Sequence, residues 1–527
     1  MTDDNWWRGS VTYQVYPRSF MDSDGDGVGD IKGITQKLDH IASLGVDAVW
    51  LSPVFTSPML DMGYDVSDYT DIDPVYGTLS DFDDMVARAH ELGLKVIVDQ
   101  VISHASDQHP FFQNSRMSRD SDKSDWFIWA DPKSDGTPPT NWMSLFGGVA
   151  WEWEPRRRQY YFHNFAKGQP DWNFWNPEVQ DYMLGVMKFW LDRGVDGFRL
   201  DTVNYYFHDK KLRDNPADYV NHEHPPHKPY DYQYQLFSKS QPENVAWLER
   251  IRALLDQYDA RTTVGEVGDN HKAIELMGEY TTGKRLHMAY SFDMLGPDFS
   301  PKHFRGTINR FFHGAPDGWP CWAFSNHDVP RHTTRFLDHG PDSEAVSIVS
   351  AALLLSFRGS VCLYQGEELG QIETEMLYEE LTDVQGLAYW PDEKGRDGCR
   401  TPMVWEQGAP FGGFSTVKPW LPVKEPQLAR AVDTETAQRV MQFYREMIKV
   451  RATTPALKTG TMTFLDMPDP VLTFTRDDDV ICAFNLSKGT VAIDLPCPCD
   501  TLISRSASVD KTHVTLGPSG FLVAQKI

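Results

Sequence analysis

The chain has 527 residues, 41% of them hydrophobic and 13% aromatic, with 17 Trp. That is more core material than one ordinary domain buries, and it excludes disordered and fibrous classes. Fifty basic against 75 acidic residues leave a formal charge of −25, a field that repels nucleic acid and anionic membranes and suits a neutral or cationic ligand.

The N-terminus MTDDNWWRGS carries acids where a secretory signal needs a basic and then an apolar region. The longest strongly apolar stretch, residues 345–357, falls short of the ~20 residues that cross a bilayer and reads as a buried helix. Cys321, Cys362, Cys399, Cys482, Cys497 and Cys499 lack zinc-site spacing, which fits free thiols in a reducing, cytoplasmic setting.

In chain order, the first strand signal is VTYQVY (11–16). It is followed by D-S-D-G-D-G-V-G-D (22–30), in which oxygen ligands alternate with glycines, as a hard cation requires. The segment lacks an EF-hand's closing glutamate, since position twelve is Gly33, and a solvated acidic turn is the competing reading. Strand signals recur at VDAVWLS (46–52) and KVIVDQV (95–101), with a helical pattern over 79–92 between them. Residues 105–173 are rich in Trp, Pro, Asp and Gly and too long for a loop, so they read as an inserted small domain. Trp126, Trp129, Trp142, Trp151 and Trp153 there are expected mainly to pack a core.

After a helical pattern at 178–191, further strands are expected at VDGFRL (195–200), TTVGEV (262–267), MAYSF (288–292), PCWAFS (320–325) and SVCLYQG (360–366). Strands alternating with helices predict an α/β fold, a (β/α)₈ TIM barrel with an inserted domain after strand 3. The run HEHPPH (222–227) reads as a solvated loop, because its prolines interrupt helical pairing of histidines. Residues 372–426, irregular and rich in Gly and Pro, are expected to form a rim over the barrel mouth. A helix at 437–451 precedes short strand signals MTFLD, VLTFTR, VICAFNL and FLVAQ, which predict a C-terminal all-β domain. The expected division is a barrel from 1–104 and 174–457, an inserted domain 105–173 and a C-terminal β-sandwich 458–527.

Four of these apolar runs end in acids or histidines: DQVISH, GFRLD, GEV and SNHD. A parallel barrel gathers the residues at its strand ends into one site, so Asp201, Glu266 and Asp328 are expected to converge. Taken singly, each acid is an ordinary ion-pair partner. Together they supply the nucleophile and acid that glycoside hydrolysis needs. Arg199 precedes Asp201 by two residues, so both side chains share one face of a strand and the guanidinium favours the ionised carboxylate. His104 and His327 are candidate donors to substrate hydroxyls.

The ordered set WWRGSVTYQVYPRSF, DQVISH, QPDWN, GFRLD, GEV and SNHD resembles glycoside hydrolase family 13, the α-amylase superfamily, on its oligosaccharide-cleaving α-glucosidase branch. The resemblance implies Asp201 as nucleophile, Glu266 as general acid/base and Asp328 as transition-state carboxylate. It also implies substrate contacts from Asp61, Tyr64, His104, Arg199, Thr202, His327 and Arg396, with Arg400 as the neighbouring candidate for the arginine that closes the pocket. The implied activity is retaining, exo-acting hydrolysis of non-reducing terminal α-glucosidic bonds in maltose-like oligosaccharides. Transglucosylation is also implied, and Thr202 is the residue type of α-1,4-preferring relatives. The alternatives are an oligo-1,6-glucosidase and a glucosyltransferase or isomerase forming isomaltulose or trehalose. The acid loop is implied to hold a structural Ca²⁺ or Mg²⁺ through Asp22, Asp24, Asp26, the Val28 carbonyl and Asp30, with no organic cofactor. The expected partner is a small oligosaccharide, without nucleic acid or membrane, and the expected state is a monomer or weak homodimer. Ser103 departs from the asparagine most relatives carry there.

Overall fold

The structure, a computed structural model, describes residues 4–219 and 226–527. Of the HEHPPH run, residues 222–225 lie outside the described residues. Eight parallel strands form the centre: β1 (Val11–Val15), β2 (Ala48–Leu51), β3 (Lys95–Gln100), β4 (Gly197–Leu200), β5 (Thr262–Val267), β6 (Met288–Ser291), β7 (Cys321–Trp322) and β8 (Ser360–Tyr364). They pair in the order β6-β5-β4-β3-β2-β1-β8-β7, and a parallel bridge between Ala289 and Pro320 joins β6 to the start of β7, closing the barrel. The seventh strand is two residues long because the chain leaves the ladder at Ala323, before the SNHD segment.

Side chains alternate across the barrel wall, as the strand period demands. Val49, Leu51, Val96, Val98, Phe198, Leu200 and Leu363 join the large core shared with the helices. Ala48, Trp50, Ile97, Val264, Met288, Tyr290 and Cys362 fill the interior. Along each inward row the lower position is small or aliphatic and the upper one polar or aromatic: Ile97 then Asp99, Val264 then Glu266, Met288 then Tyr290. The barrel is therefore plugged by apolar packing below and lined by chemistry at its C-terminal mouth.

The helices begin where their caps predict. Thr78 and Asp81 form a reciprocal capping box for Leu79–Glu91, Asn176 caps Pro177–Asp192, and Thr434 caps Glu435–Thr453. The apolar helix Ser343–Ser356 lies between Glu435–Thr453 and the C-terminal sheet, which explains why it lacks a polar face. No helix among the described residues is long and apolar enough to cross a membrane.

Within residues 105–173 lie a helix, Pro110–Ser115, and a three-stranded antiparallel sheet of Trp129–Ala130, Trp151–Glu154 and Gln159–Phe162. Trp142 and Trp151 are fully buried in its own core and Trp126 packs on the barrel side, whereas Trp153 faces solvent.

The C-terminal region holds six strands from Met462 to Lys526 in one antiparallel sheet, where a sandwich of two was expected. The strand His513–Lys526 is 14 residues long and bends, so one half pairs with Val480–Asn485 and the other with Val491–Asp494. Register shifts in the facing strand Cys499–Asp510 accommodate that bend, and the single sheet folds over its own apolar cluster. Cys499–Asp510 gave no strand signal because most of its side chains are exposed and polar.

Two buried arginines fasten this sheet to the barrel. Arg451 donates to the carbonyls of Gly9, Leu355 and Leu457, and Arg476 to those of Ser356, Leu457 and Gly460. Each guanidinium satisfies backbone acceptors that the junction would otherwise bury unpaired.

Candidate active site

Register explains why the functional side chains meet. Asp99 of β3 lies beside Arg199 of β4, and Glu266 of β5 beside Tyr290 of β6. Arg199 is fully buried and is the hub: Nη1 lies 2.6 Å from Asp201 and 2.9 Å from Asp99, and Nη2 lies 2.5 Å from Glu266. Tyr290 OH, 2.9 Å from Arg199 Nη2, donates to Glu266 Oε1 at 2.9 Å. The sequence placed Arg199 against Asp201; it also binds Glu266, so one guanidinium holds both acids.

Burial raises both acids, against the pull of Arg199, with neighbouring carboxylates adding to the rise. Asp201 and Glu266 each reach about 7 and Asp99 about 6. Around neutrality the Asp201 and Glu266 pair therefore keeps one proton between its members. Asp328 behaves oppositely. Burial disfavours its charge, yet the guanidiniums of Arg396 and Arg400 hold its carboxyl well below the usual range. Arg400 Nη2 is 3.1 Å and Arg396 Nη1 3.3 Å from Asp328 Oδ1. Three acids around one cavity thus divide into an ionised one and a pair sharing a proton.

The cavity, about 260 Å³, is lined by Asp61, Tyr64, His104, Asp201, Thr202, Glu266, His327, Asp328 and Arg396. Its size lies near the lower end of small-ligand pockets, roughly 300 Å³. Every site residue expected at the mouth borders it, except Arg199, which underlies its floor.

An ion-pair bridge forms part of the cavity wall. Arg396 Nη2 lies 2.8 Å from Asp61 and 2.6 Å from Asp383, joining the segment after β2 to the rim. Gln169 also donates to Asp61 at 3.1 Å. Arg400 contacts Asp328 and the His327 carbonyl instead, and of the two arginines only Arg396 lines the cavity. Tyr64 stacks on His327 with ring centroids 5.2 Å apart and 4° between planes, and donates to Asp99 at 3.1 Å. Burial keeps His104 neutral, lowering it to about 4, and pushes His327 well below its ordinary value.

Asp99, Tyr290 and Asp383 join the site beyond the expected residues, Asp99 as the first residue of the DQVISH run. Asp99 and Tyr290 are polar residues inside apolar strands, and the strand register alone points them at the mouth. Asp383 sits in the irregular rim, where periodicity says nothing. The aromatic wall is Phe146, Phe165 and Tyr205, with none of the six tryptophans of residues 105–173 in the lining. Across the opening, Lys228 Nζ lies 2.9 Å from Glu393 Oε1, and both border the cavity.

The acid loop follows β1, apart from the pocket lining. Oxygens of Asp22, Asp24 and Asp30 lie within 4.8 Å of one another. Asp30 caps the following helix through Gly33 N–H, and Asp26 accepts from Val28 N–H. Asp22 accepts from Ser415, Gly25 and Gly27, tying the loop to the rim. A Cβ on Gly29 would stand 2.2 Å from the Pro17 carbonyl, so only glycine fits that turn.

A (β/α)₈ barrel with an acid pair on one guanidinium and a third acid lining the same pocket at its mouth defines a glycoside hydrolase. The model of the α-amylase catalytic domain matches residues 14–460, and the chain belongs to this family, glycoside hydrolase family 13. A probable alpha-glucosidase of Rhizobium meliloti (strain 1021) is 52% identical, covering 94% of this chain and 92% of its own. An oligo-1,6-glucosidase of Heyndrickxia coagulans is 34% identical over 93% and 94% of the two chains. The solved structure of an alpha-glucosyl transfer enzyme, XgtA, superposes with a TM-score of 0.95 at 49% identity and 99% coverage of both chains.

Proposed function

We propose that the protein is a retaining, exo-acting α-glucosidase that releases glucose from the non-reducing end of short α-1,4-linked oligosaccharides. The observation that carries this reading is the Arg396–Asp61 bridge in the wall of a cavity of about 260 Å³ that also holds the three acids, a space suited to one terminal sugar and not to an internal stretch of polymer. Glu266, in its protonated form, protonates the glycosidic oxygen while ionised Asp201 attacks the anomeric carbon. Water activated by the now ionised Glu266 then releases the sugar with its original configuration. Asp328 stays ionised against the developing oxocarbenium charge, and Asp61, His104 and His327 hold the terminal ring. An acceptor sugar in place of water gives transglucosylation, a second outcome favoured by the likeness to a glucosyl transfer enzyme. The six free cysteines support a cytoplasmic setting.

Product analysis with maltose, isomaltose, sucrose and starch tests this. The expected result is α-glucose from maltose, with little from starch. Cleavage of internal starch bonds would overturn the exo reading, and a preference for isomaltose the α-1,4 assignment.

For the loop we propose a structural Ca²⁺ or Mg²⁺ held by Asp22, Asp24 and Asp30, with Asp26 and the Val28 carbonyl completing the oxygen set. The fit rests on a compact set of hard oxygen donors and on Asp24, whose carboxyl is raised by burial and by the charges of Asp26, Asp30 and Asp22. Bound there, the cation neutralises the loop and stiffens its contact with the rim at Ser415. Chelation is expected to lower the melting temperature by about 5 °C, with recovery on adding Ca²⁺ or Mg²⁺. A melting temperature indifferent to chelator, with no metal in the purified protein, would end this proposal.

A further inference from the structure

The hydroxyl of Thr202 stands between two acceptors. Its Oγ1 lies 3.2 Å from Asp201 Oδ2 and 2.9 Å from Ser103 Oγ. Proton counting fixes what Ser103 offers. His104 Nε2 is 2.8 Å from the Tyr64 carbonyl, which only accepts, so that nitrogen bears the ring proton. Gln169 Nε2, 3.2 Å from the same nitrogen, has both protons committed to Asp61 Oδ2 and the Tyr64 carbonyl, each at 3.1 Å. Burial keeps the ring neutral, so Nδ1, 2.9 Å from Ser103 Oγ, presents a lone pair. Ser103 donates to it and has only lone pairs left for Thr202. One proton on Thr202 faces two acceptors.

The backbone at this position reinforces the point. Thr202 has φ of +43°, a left-handed conformation that strains a β-branched residue. Hydrogen bonds from Val203 N–H to the Glu266 carbonyl and from Tyr205 N–H to the Thr202 carbonyl, both 2.9 Å, hold it there. The strained turn aims the hydroxyl between Asp201 and Ser103 and sets the Thr202 N–H 3.3 Å from Glu266 Oε2.

We propose that the Thr202 hydroxyl is a rotating donor, serving Asp201 while that carboxylate is ionised and turning to Ser103 when Asp201 carries the glucosyl group. Ser103 is then a positioning residue for the covalent intermediate. The inference rests on the double displacement of the proposed function. As the bond from Asp201 to the anomeric carbon forms and the glycosidic bond breaks, the carboxylate charge disappears and Asp201 becomes a poor acceptor. No proton is transferred; only the hydroxyl torsion changes. Without Ser103 Oγ, a buried donor is stranded in the intermediate but not in the free enzyme.

The test uses a 5-fluoro-α-glucosyl fluoride, whose second step is slow, with labelled enzyme followed by intact mass. Ser103→Ala is expected to label about tenfold more slowly than wild type, the loss of one buried hydrogen bond, and to a lower steady-state fraction. Thr202→Val removes the rotating group, so adding Ser103→Ala to it is expected to slow labelling much less than tenfold, leaving only the loss of the Ser103 hydrogen bond to His104 Nδ1. An equal effect of Ser103→Ala in both backgrounds would reduce Ser103 to a support for His104 and overturn the inference. So would unchanged labelling. Ser103→Cys, of similar size and a poor acceptor, replaces the alanine variant should that one not fold. Failure of the wild type itself to label would overturn the double displacement, a result separable from the others.

Discussion

Asp201→Asn is expected to abolish release of α-glucose from maltose, lowering kcat/KM by roughly 10⁴-fold or more, the scale seen when a covalent nucleophile is removed. Asn presents a neutral amide, which neither attacks the anomeric carbon nor balances Arg199. Because Arg199 keeps Asp99 and Glu266 as partners, the variant is expected to fold, and circular dichroism with a thermal melt checks that. Glu266→Gln should behave differently. With an aryl glucoside whose leaving group needs no proton, its first step survives, glucosyl-enzyme accumulates for want of a base, and azide restores turnover as α-glucosyl azide. The pH profile separates the two roles further. Asp201 and Glu266 are both raised to about 7, and activity needs one ionised and one protonated. The wild-type kcat/KM is therefore expected to be bell-shaped about neutrality. Below the lower apparent pKa both are protonated and no nucleophile remains; above the upper one both are ionised and no acid remains. With the activated substrate, Glu266→Gln should lose the alkaline limb and keep the acid one. An unshifted alkaline limb in that variant would assign the acid to another group.

The expected barrel and its acids were legible because strand ends carry two signals at once, an apolar run and a polar stop. Thr262–Val267 matches its expected strand residue for residue, and Asp201, Glu266 and Asp328 meet at one cavity. What failed to show was anything set by register between strands or by irregular chain. Asp99 and Tyr290 become active-site residues only once β3 is placed beside β4 and β5 beside β6, since a buried polar residue in one strand does not name its neighbour. Asp383 and Glu393 come from a rim whose shape depends on tertiary packing. The tryptophans expected mainly to pack a core do so. In a small inserted domain large rings are the core, and the wall falls to Phe146 and Phe165 on the loops that reach the pocket.

The rim holds a second cation that, like Arg199, pairs with three carboxylates, and Arg396→Met is expected to cost both activity and stability. Arg396 is buried against Asp61, Asp383 and Asp328. Arg400 reaches only Asp328 among them, so removing Arg396 leaves Asp61 and Asp383 without their cation. Breaking a buried pair on one side typically costs 3–5 kcal/mol, and the breached cavity wall should lower kcat/KM by about 10³-fold through lost positioning of the terminal sugar. Arg396→Lys restores a charge but not the fork that spans Asp61 and Asp383, so it should recover melting temperature more than activity. The stability loss has a signature in pH. Arg396 holds Asp383 and Asp328 well below the ordinary carboxylate range. A depressed folded-state pKa gives stability that is present above the unfolded value, about 3.9 for Asp, and lost as pH falls through the folded value. The gap in melting temperature between wild type and Arg396→Met is therefore expected to be widest near neutrality and to narrow below about pH 4. A gap that holds constant with pH would mean that Arg396 stabilises the rim by packing, and an undiminished kcat/KM would mean that the bridge to Asp61 does not bound the sugar site.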